Sequence, residues 1–242
     1  MIRKVGIALA GLGLVVVAWA GVTIVWGDPV TSLYTRHEQH TLSRRLDTLE
    51  RRWAVKVERS PSPTPAPSPE LDLANRLKRS AVRFRRKLAE GEPIGRILIP
   101  RIGLHMVVVE GTSTDDLDKG PGHYNAASGA ATTLPGMGGV VAIAGHRTTY
   151  AHPFRHIDEL SSGDNIYLQM PYGTFRYRVY FHKIVSNTDW SILRGRSYEK
   201  LVLSACHPLY SATHRWVVFA RLQGEARPHS TGRATSSRRS RS

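Results

Sequence analysis

The stretch Leu201 to Leu222, Leu-Val-Leu-Ser-Ala-Cys-His-Pro-Leu-Tyr-Ser-Ala-Thr-His-Arg-Trp-Val-Val-Phe-Ala-Arg-Leu, constrains this chain more than any other. An apolar, β-branched run from Leu201 to Ala205 stops at the turn signal His207-Pro208, which predicts a short buried strand with Cys206, the only cysteine, at its mouth. A second strand is expected over Arg215 to Leu222; with the two strands as neighbours, the intervening loop brings Arg215 close to Cys206. The thiolate is the reactive form of cysteine and a nearby cation favours it, so the pair points to a nucleophile. The bland alternative is a small core hydrophobe, since free cysteine is among the most buried residue types. A third buried strand, Val140 to Ala144, runs through Gly145 into the polar turn His146-Arg147-Thr148-Thr149-Tyr150, and a histidine at a strand end is a candidate acid or base.

Around these strands the chain changes character several times. Arg3-Lys4 precedes an apolar run of 22 residues from Val5 to Trp26, long enough to span a bilayer, which needs about 20. Ala18-Trp-Ala20 also reads as a cleavage site, but the run continues past it, which favours a retained anchor over residues 1–27. Arg3 and Lys4 lie before the span and Arg36, Arg44 and Arg45 after it, so charge alone barely chooses an orientation. Residues 28–59 are polar and basic with a weak apolar period at Leu33, Leu42, Leu46, Leu49 and Trp53, which predicts a solvated or membrane-skirting helix. Residues 60–69 alternate with proline and form a linker, either a polyproline II spacer of ~3.1 Å per residue or a disordered tether. Over 70–91, Leu71, Ala74, Leu77, Ala81, Phe84 and Leu88 recur at helical spacing between Arg and Lys, an amphipathic helix ending near Gly91 whose apolar face caps the domain that follows.

From Pro93 the period is that of strands: Gly95–Pro100, His105–Glu110, Gly122–Asn125, Val140–Ala144, Asn165–Met170, Thr174–Val185, Leu201–Ala205 and Arg215–Leu222, with short helices over Asp115–Asp118, Phe154–Leu160 and Trp190–Leu193. A mainly β fold of eight strands fits a closed barrel or a sandwich. Residues 224–242 are Ser- and Arg-rich without apolar periodicity, a disordered basic tail. The net charge of +15 suits solubility and an anionic surface, and no nucleic-acid-binding module accompanies it. One cysteine excludes an internal disulfide.

Ala-Gly-His146-Arg, Leu-Ser-Ala-Cys206 and Arg215 at the head of Arg-Trp-Val-Val-Phe-Ala together resemble the sortases, the cysteine transpeptidases of Gram-positive cell surfaces, over about residues 92 to 223. Gly95 to Gly103, Lys119 to Tyr124 and Pro153 to Asp164 extend the resemblance. The His-Arg-Thr-Thr, Gly-Pro-Gly-His-Tyr and Cys-His-Pro turns are most similar to the actinobacterial class E branch. The resemblance implies an eight-stranded β-barrel outside the cell on a single-pass membrane anchor. It implies that Cys206 attacks a Leu-x-x-Thr-Gly-like sorting signal between Thr and Gly and forms a thioester, with His146 as acid and base and Arg215 facing the oxyanion. The implied partners are surface proteins bearing that signal and an amine of peptidoglycan or a pilin; no metal or cofactor is required.

Two positions bear on specificity. Sortases usually carry Thr immediately before the cysteine, where this chain has Ala205, and Ser204 does not replace it directly because successive strand residues point to opposite faces. Tyr124, after the Gly-Pro-Gly turn, is expected to project toward the substrate, where the class E branch typically has Tyr; the alternative is a half-buried barrel tyrosine. Two rival readings are a metal site at His146, His152 and His156, whose spacing matches no common zinc pattern, and a non-catalytic, membrane-tethered module that binds polyanions.

Overall fold

Residues 2–26, 29–59, 69–130 and 132–223 are described by the computed structural model. Eight strands, β1 (Pro93–Ile99), β2 (Leu104–Glu110), β3 (Gly122–His123), β4 (Val140–Ala144), β5 (Asn165–Met170), β6 (Gly173–Ser186), β7 (Lys200–His207) and β8 (His214–Leu222), close into a barrel in the order β1-β2-β3-β4-β7-β8-β6-β5. Neighbours run antiparallel except β2–β3 and β4–β7, which are parallel. Closure into a barrel pairs most of the edges that a sandwich of the same strands would leave open. β3 is shorter than expected, and β7 runs past Ala205 so that Cys206 lies within the ladder.

Period-2 alternation sorts the strands' side chains. Leu201, Leu203 and Ala205 of β7, Val141 and Ile143 of β4, and Val218 and Ala220 of β8 join one core inside the barrel with Ile97, Phe175 and Tyr177. Their neighbours Val140, Ala142, Val202, Val217 and Phe219 form a second cluster on the outer face, covered by Val185 and Ile192. Cys206 and Ser204 share the parity of Val202, and Arg215 that of Val217, so all three belong to the outer face. Inside, the Glu199 carboxylate accepts Tyr177 Oη–H at 2.5 Å and the N–H groups of Gly136 and Gly138, which ties the loop before β4 to β6. Burial and this carboxylate push the Tyr177 phenol well above its ordinary value.

Of the short helices, α4 (Thr114–Lys119) forms with a capping box between Ser113 and Asp116. The helix expected over Phe154–Leu160 is only a 3-10 turn at Ile157–Glu159, where the backbone closes successive three-residue bonds, Ile157 N–H to Phe154, Glu159 N–H to His156 and Leu160 N–H to Ile157. Trp190–Leu193 is likewise a 3-10 turn, with Asp189 accepting from Ser191 N–H.

The helices before the barrel depart further from expectation. The amphipathic helix is α3 (Pro69–Arg85), which buries Leu77, Ala81 and Phe84 against the core and stops short of Gly91. The helix expected over 28–59 is not solvated all round, because one face docks on the barrel. α2 (Pro29–Arg59) is a 31-residue helix that buries Leu42, Leu46 and Trp53. Leu42 and Leu46 pack on Val107 and Val109 of β2, while Trp53 meets the Phe84 ring edge-on at 5.4 Å. Arg96 of β1 reaches out to Asp47 and Glu50 of α2. Beyond its brief pairing with β3, β2 has an open side, and Gln39 closes it: its amide donates to the Val107 carbonyl at 2.9 Å and accepts the Val107 N–H at 2.7 Å. A buried backbone group without a partner is costly, so one side chain doing a strand's work is a strong fixing point.

The N-terminal apolar run forms α1 (Ile2–Trp26), whose large apolar side chains from Val5 to Trp19 are exposed. Among the described residues no helix is long and apolar enough to cross a membrane, so the span expected over Val5 to Trp26 is not shown. The linker expected over 60–69 lies, apart from Pro69, outside the described residues, as does the basic tail over 224–242.

Docking of α2 has a direct test. Leu46 is fully buried, so Leu46→Ala should destabilise the protein by about 2–5 kcal/mol in chemical denaturation, whereas a solvated helix would lose less than about 0.5 kcal/mol.

Candidate active site

The site is built by register. β4 and β7 pair in parallel with Ala144 opposite Ser204, and Gly145 N–H continues the ladder to the Ser204 carbonyl at 3.1 Å. Carried one step on, the register brings His146 level with Cys206. On the other side of β7, Cys206 pairs directly with Arg215 of β8. Directly opposed residues of an antiparallel pair share a face, so the thiol and the guanidinium stand on one side of the sheet. The backbone register thus places Cys206 and Arg215 opposite each other on β7 and β8, with His146 two residues beyond the end of the adjacent β4. Cys206 is half-buried and forms no disulfide. Arg215 is held by its own loop, Nη1 donating to the carbonyls of Ala212 at 2.9 Å and His214 at 3.0 Å.

Gly145 has no room for a side chain: a Cβ there would come within 2.7 Å of the Phe154 ring. That close approach folds the following loop back over the strand end. Tyr150, Ala151 and His152 then adopt left-handed φ of 51°, 56° and 37°, three successive non-glycine residues in a region costing roughly 1–2 kcal/mol each. Tyr150 N–H donates to Thr31 Oγ1 of α2 at 3.0 Å, and its ring stacks on His146 at 5.2 Å and meets the Tyr34 ring at 6.4 Å. The first turns of α2 therefore brace the histidine loop.

Two further residues belong to the site without having been singled out in the sequence. Asp118, at the end of α4, holds Oδ1 3.6 Å from His146 Nε2, just beyond hydrogen-bond reach, while its carbonyl accepts Thr35 Oγ1–H at 2.7 Å. Burial lowers the His146 pKa below that of an ordinary histidine, and the Asp118 charge works against that shift. Arg147 is buried, paired to Asp158 at 2.7 Å, and directs Nη1 to the Cys206 carbonyl at 3.5 Å and to His207 Nδ1 at 3.2 Å. The charge next to His146 in sequence thus secures the strand that carries Cys206. An acidic residue just before the Gly-Pro-Gly turn was the available sign for Asp118, but nothing local says which face it meets.

Tyr124 sits against the outer cluster, half-buried, with its ring edge-on to Trp190 at 6.2 Å and its hydroxyl 3.1 Å from Ser204 Oγ. Ala205 points into the barrel core, so the hydroxyl on the face of Cys206 is that of Ser204. His146, His152 and His156 do not assemble: among the described residues no group of three or more His, Cys, Asp or Glu side chains is placed to hold a metal ion.

A cysteine at a strand end, with a histidine and an arginine level with it on either side, is the layout of a cysteine-nucleophile enzyme. A model of the sortase domain matches residues 97–223, and the chain belongs to the sortase family. It is 35% identical over 135 residues to sortase D of Bacillus subtilis, covering 54% of this chain and 64% of that protein. It is 29% identical over 155 residues to sortase SrtE1 of Streptomyces coelicolor, covering 59% and 44%. The crystal structure of sortase E1 from Streptomyces coelicolor with a tripeptide in the active site superposes with a TM-score of 0.54 at 29% identity, over 61% of this chain and 98% of that one. The matched region thus spans less than two thirds of the length of these curated relatives. The likeness to sortase E1 agrees with the class E character of the turns.

The electrostatics of His146 are testable without turnover. In Asp118→Asn the only influence raising the His146 pKa is removed while burial remains, so its imidazole titration, followed by NMR, should move to lower pH. An unmoved titration would show that Asp118 does not act on His146.

Proposed function

We propose that this chain is a membrane-anchored cysteine transpeptidase acting on a Leu-x-x-Thr-Gly-like sorting signal. The observation that carries the proposal is the register that sets Cys206 between His146 and Arg215 on the outer face. The Cys206 thiolate attacks the Thr carbonyl carbon, and the carbonyl electrons move onto oxygen, where Arg215 donates to the oxyanion. Collapse of this intermediate breaks the C–N bond, His146 protonates the departing Gly amine, and a thioester remains. An acceptor amine, from peptidoglycan or a pilin, then loses a proton to His146 as it attacks the thioester, and Cys206 leaves as thiolate. His146 must carry the proton at the first step and lack it at the second, the alternation an imidazole can make near neutral pH.

Anchoring is supported by the 22-residue apolar run Val5 to Trp26 and by the exposure of its large apolar side chains from Val5 to Trp19. On that reading the barrel stands outside the cell with its substrates.

The full-length chain in detergent, incubated with Leu-Ala-x-Thr-Gly and Leu-Pro-x-Thr-Gly peptides and an amine, should give cleavage between Thr and Gly and an amine-linked product detected by mass spectrometry. Cys206→Ala should abolish both with the fold intact; retained turnover would end this assignment. Arg215→Lys keeps the charge but loses the planar fork, and should lower kcat by about 10–1,000-fold.

Specificity is assigned to Tyr124. It lies beside Ser204, one same-face step before Cys206 along β7, where an extended substrate would pass. A phenol there narrows the path of a proline ring and offers a hydroxyl to the backbone N–H that Ala has and Pro lacks. The Ala peptide should be preferred, and Tyr124→Ala should shift the kcat/KM ratio toward the Pro peptide; equal ratios in the two proteins would exclude this role.

A further inference from the structure

On the outer face of the barrel, between β6 and the loop leading into β7, lies a cavity of about 390 Å³ whose walls include neither Cys206 nor Tyr124. Four of its lining residues are cations: Lys183, Arg194, Arg196 and Lys200. The single carboxylate paired to them is that of Asp189, 3.8 Å from Lys183 Nζ and already accepting Ser191 N–H through its other oxygen. Among the described residues, Arg194, Arg196 and Lys200 have no ion-pair partner.

Lys200 is the informative member. It is only 3% exposed, yet it faces other cations rather than a carboxylate. Its Nζ donates to the Ile192 carbonyl at 2.9 Å and lies 5.3 Å from the centre of the Phe219 ring. An ammonium has three donors, and a buried charge is ordinarily paired. Burial and the Arg196 and Lys183 charges lower the Lys200 pKa, the direction expected of a cation cluster whose counter-charge is supplied from outside.

Three aromatic rings, Tyr180, Phe181 and Phe219, line the cavity beside Ser191, Ile192 and Gly195. Phe181 and Phe219 stack at 5.9 Å, and Tyr180 leans on Phe219 at 6.4 Å. Two guanidinium forks and a buried ammonium fit the oxygens of a phosphate group, and the aromatic side fits an organic remainder. The volume is that of a small-molecule site, for which about 300–1,000 Å³ is usual.

We propose that this cavity is a binding site for a phosphate ester, closed by Lys200 at its base and by Arg194 and Arg196 at its rim. The site lies behind the loop that carries Trp190 and Ile192, so one loop contacts the phosphate ester on one side and the Tyr124 face on the other. The assignment does not depend on catalysis by Cys206.

The test is binding of glycerol 3-phosphate to the full-length protein in detergent by isothermal titration calorimetry, at ionic strength matched with sodium chloride. A second arm measures binding to phosphatidylglycerol vesicles against phosphatidylcholine vesicles. Arg194→Ser/Arg196→Ser alters exposed residues and should leave the fold intact, which circular dichroism checks. The double variant should weaken glycerol 3-phosphate binding at least 10-fold, while Cys206→Ala binds as wild type. If the double variant also loses preference for phosphatidylglycerol, the natural source is a headgroup; if it differs only in the glycerol 3-phosphate arm, the source is a soluble ester. The proposal is overturned if the double variant matches wild type in both arms, or if wild type responds to glycerol 3-phosphate no more than to chloride.

Discussion

The parallel pairing of β4 with β7 is the constraint on which the rest of the site depends. Parallel strands cannot be joined by a tight turn, so everything between Ala144 and Lys200 is the crossover that makes this pairing possible. Within that crossover, β5 and β6 complete the barrel and the Trp190–Leu193 turn covers its outer face. The register leaves no slack: a slip by one residue would exchange the inner Leu203 and Ala205 for the outer Ser204 and Cys206. Burial of the inner set therefore fixes the orientation of the cysteine, and the thiol needs no hydrogen bond of its own to be aimed.

Around this frame, the histidine loop is held from several sides at once. Gly145 admits Phe154, Arg147 couples the loop to the Cys206 carbonyl and to Asp158, and Thr31 and Tyr34 of α2 meet Tyr150. Three left-handed residues in succession would not persist in a free loop. Their cost is offset by contacts that come from elements far apart in sequence, and the ring of His146 is thereby kept against that of Tyr150.

The strands were legible because their inner faces alternate with polar or outer residues, and the Cys206–Arg215 pair because two strands joined by a short loop have few ways to pair. The position of His146 level with Cys206 was not legible from the residues themselves; parallel register is a long-range property, and resemblance supplied it. α2 was misjudged because Leu42, Leu46 and Trp53 are separated by many charges, and the partner of Asp47 and Glu50 is Arg96 in another element. Asp118 was missed for the same reason: what matters about it is a histidine 28 residues away in the chain. Helical spacing over Phe154 to Leu160 gave way to three-residue backbone turns, a difference in hydrogen-bond closure that apolar spacing does not record.

Gln39 has a consequence for how the molecule assembles. Its contact with Val107 spans 68 residues, whereas the β1–β2 hairpin that creates the open strand is local. An open strand edge is a template on which another chain's strand can add, so the helix that carries Gln39 also keeps this stretch of β2 from pairing between molecules.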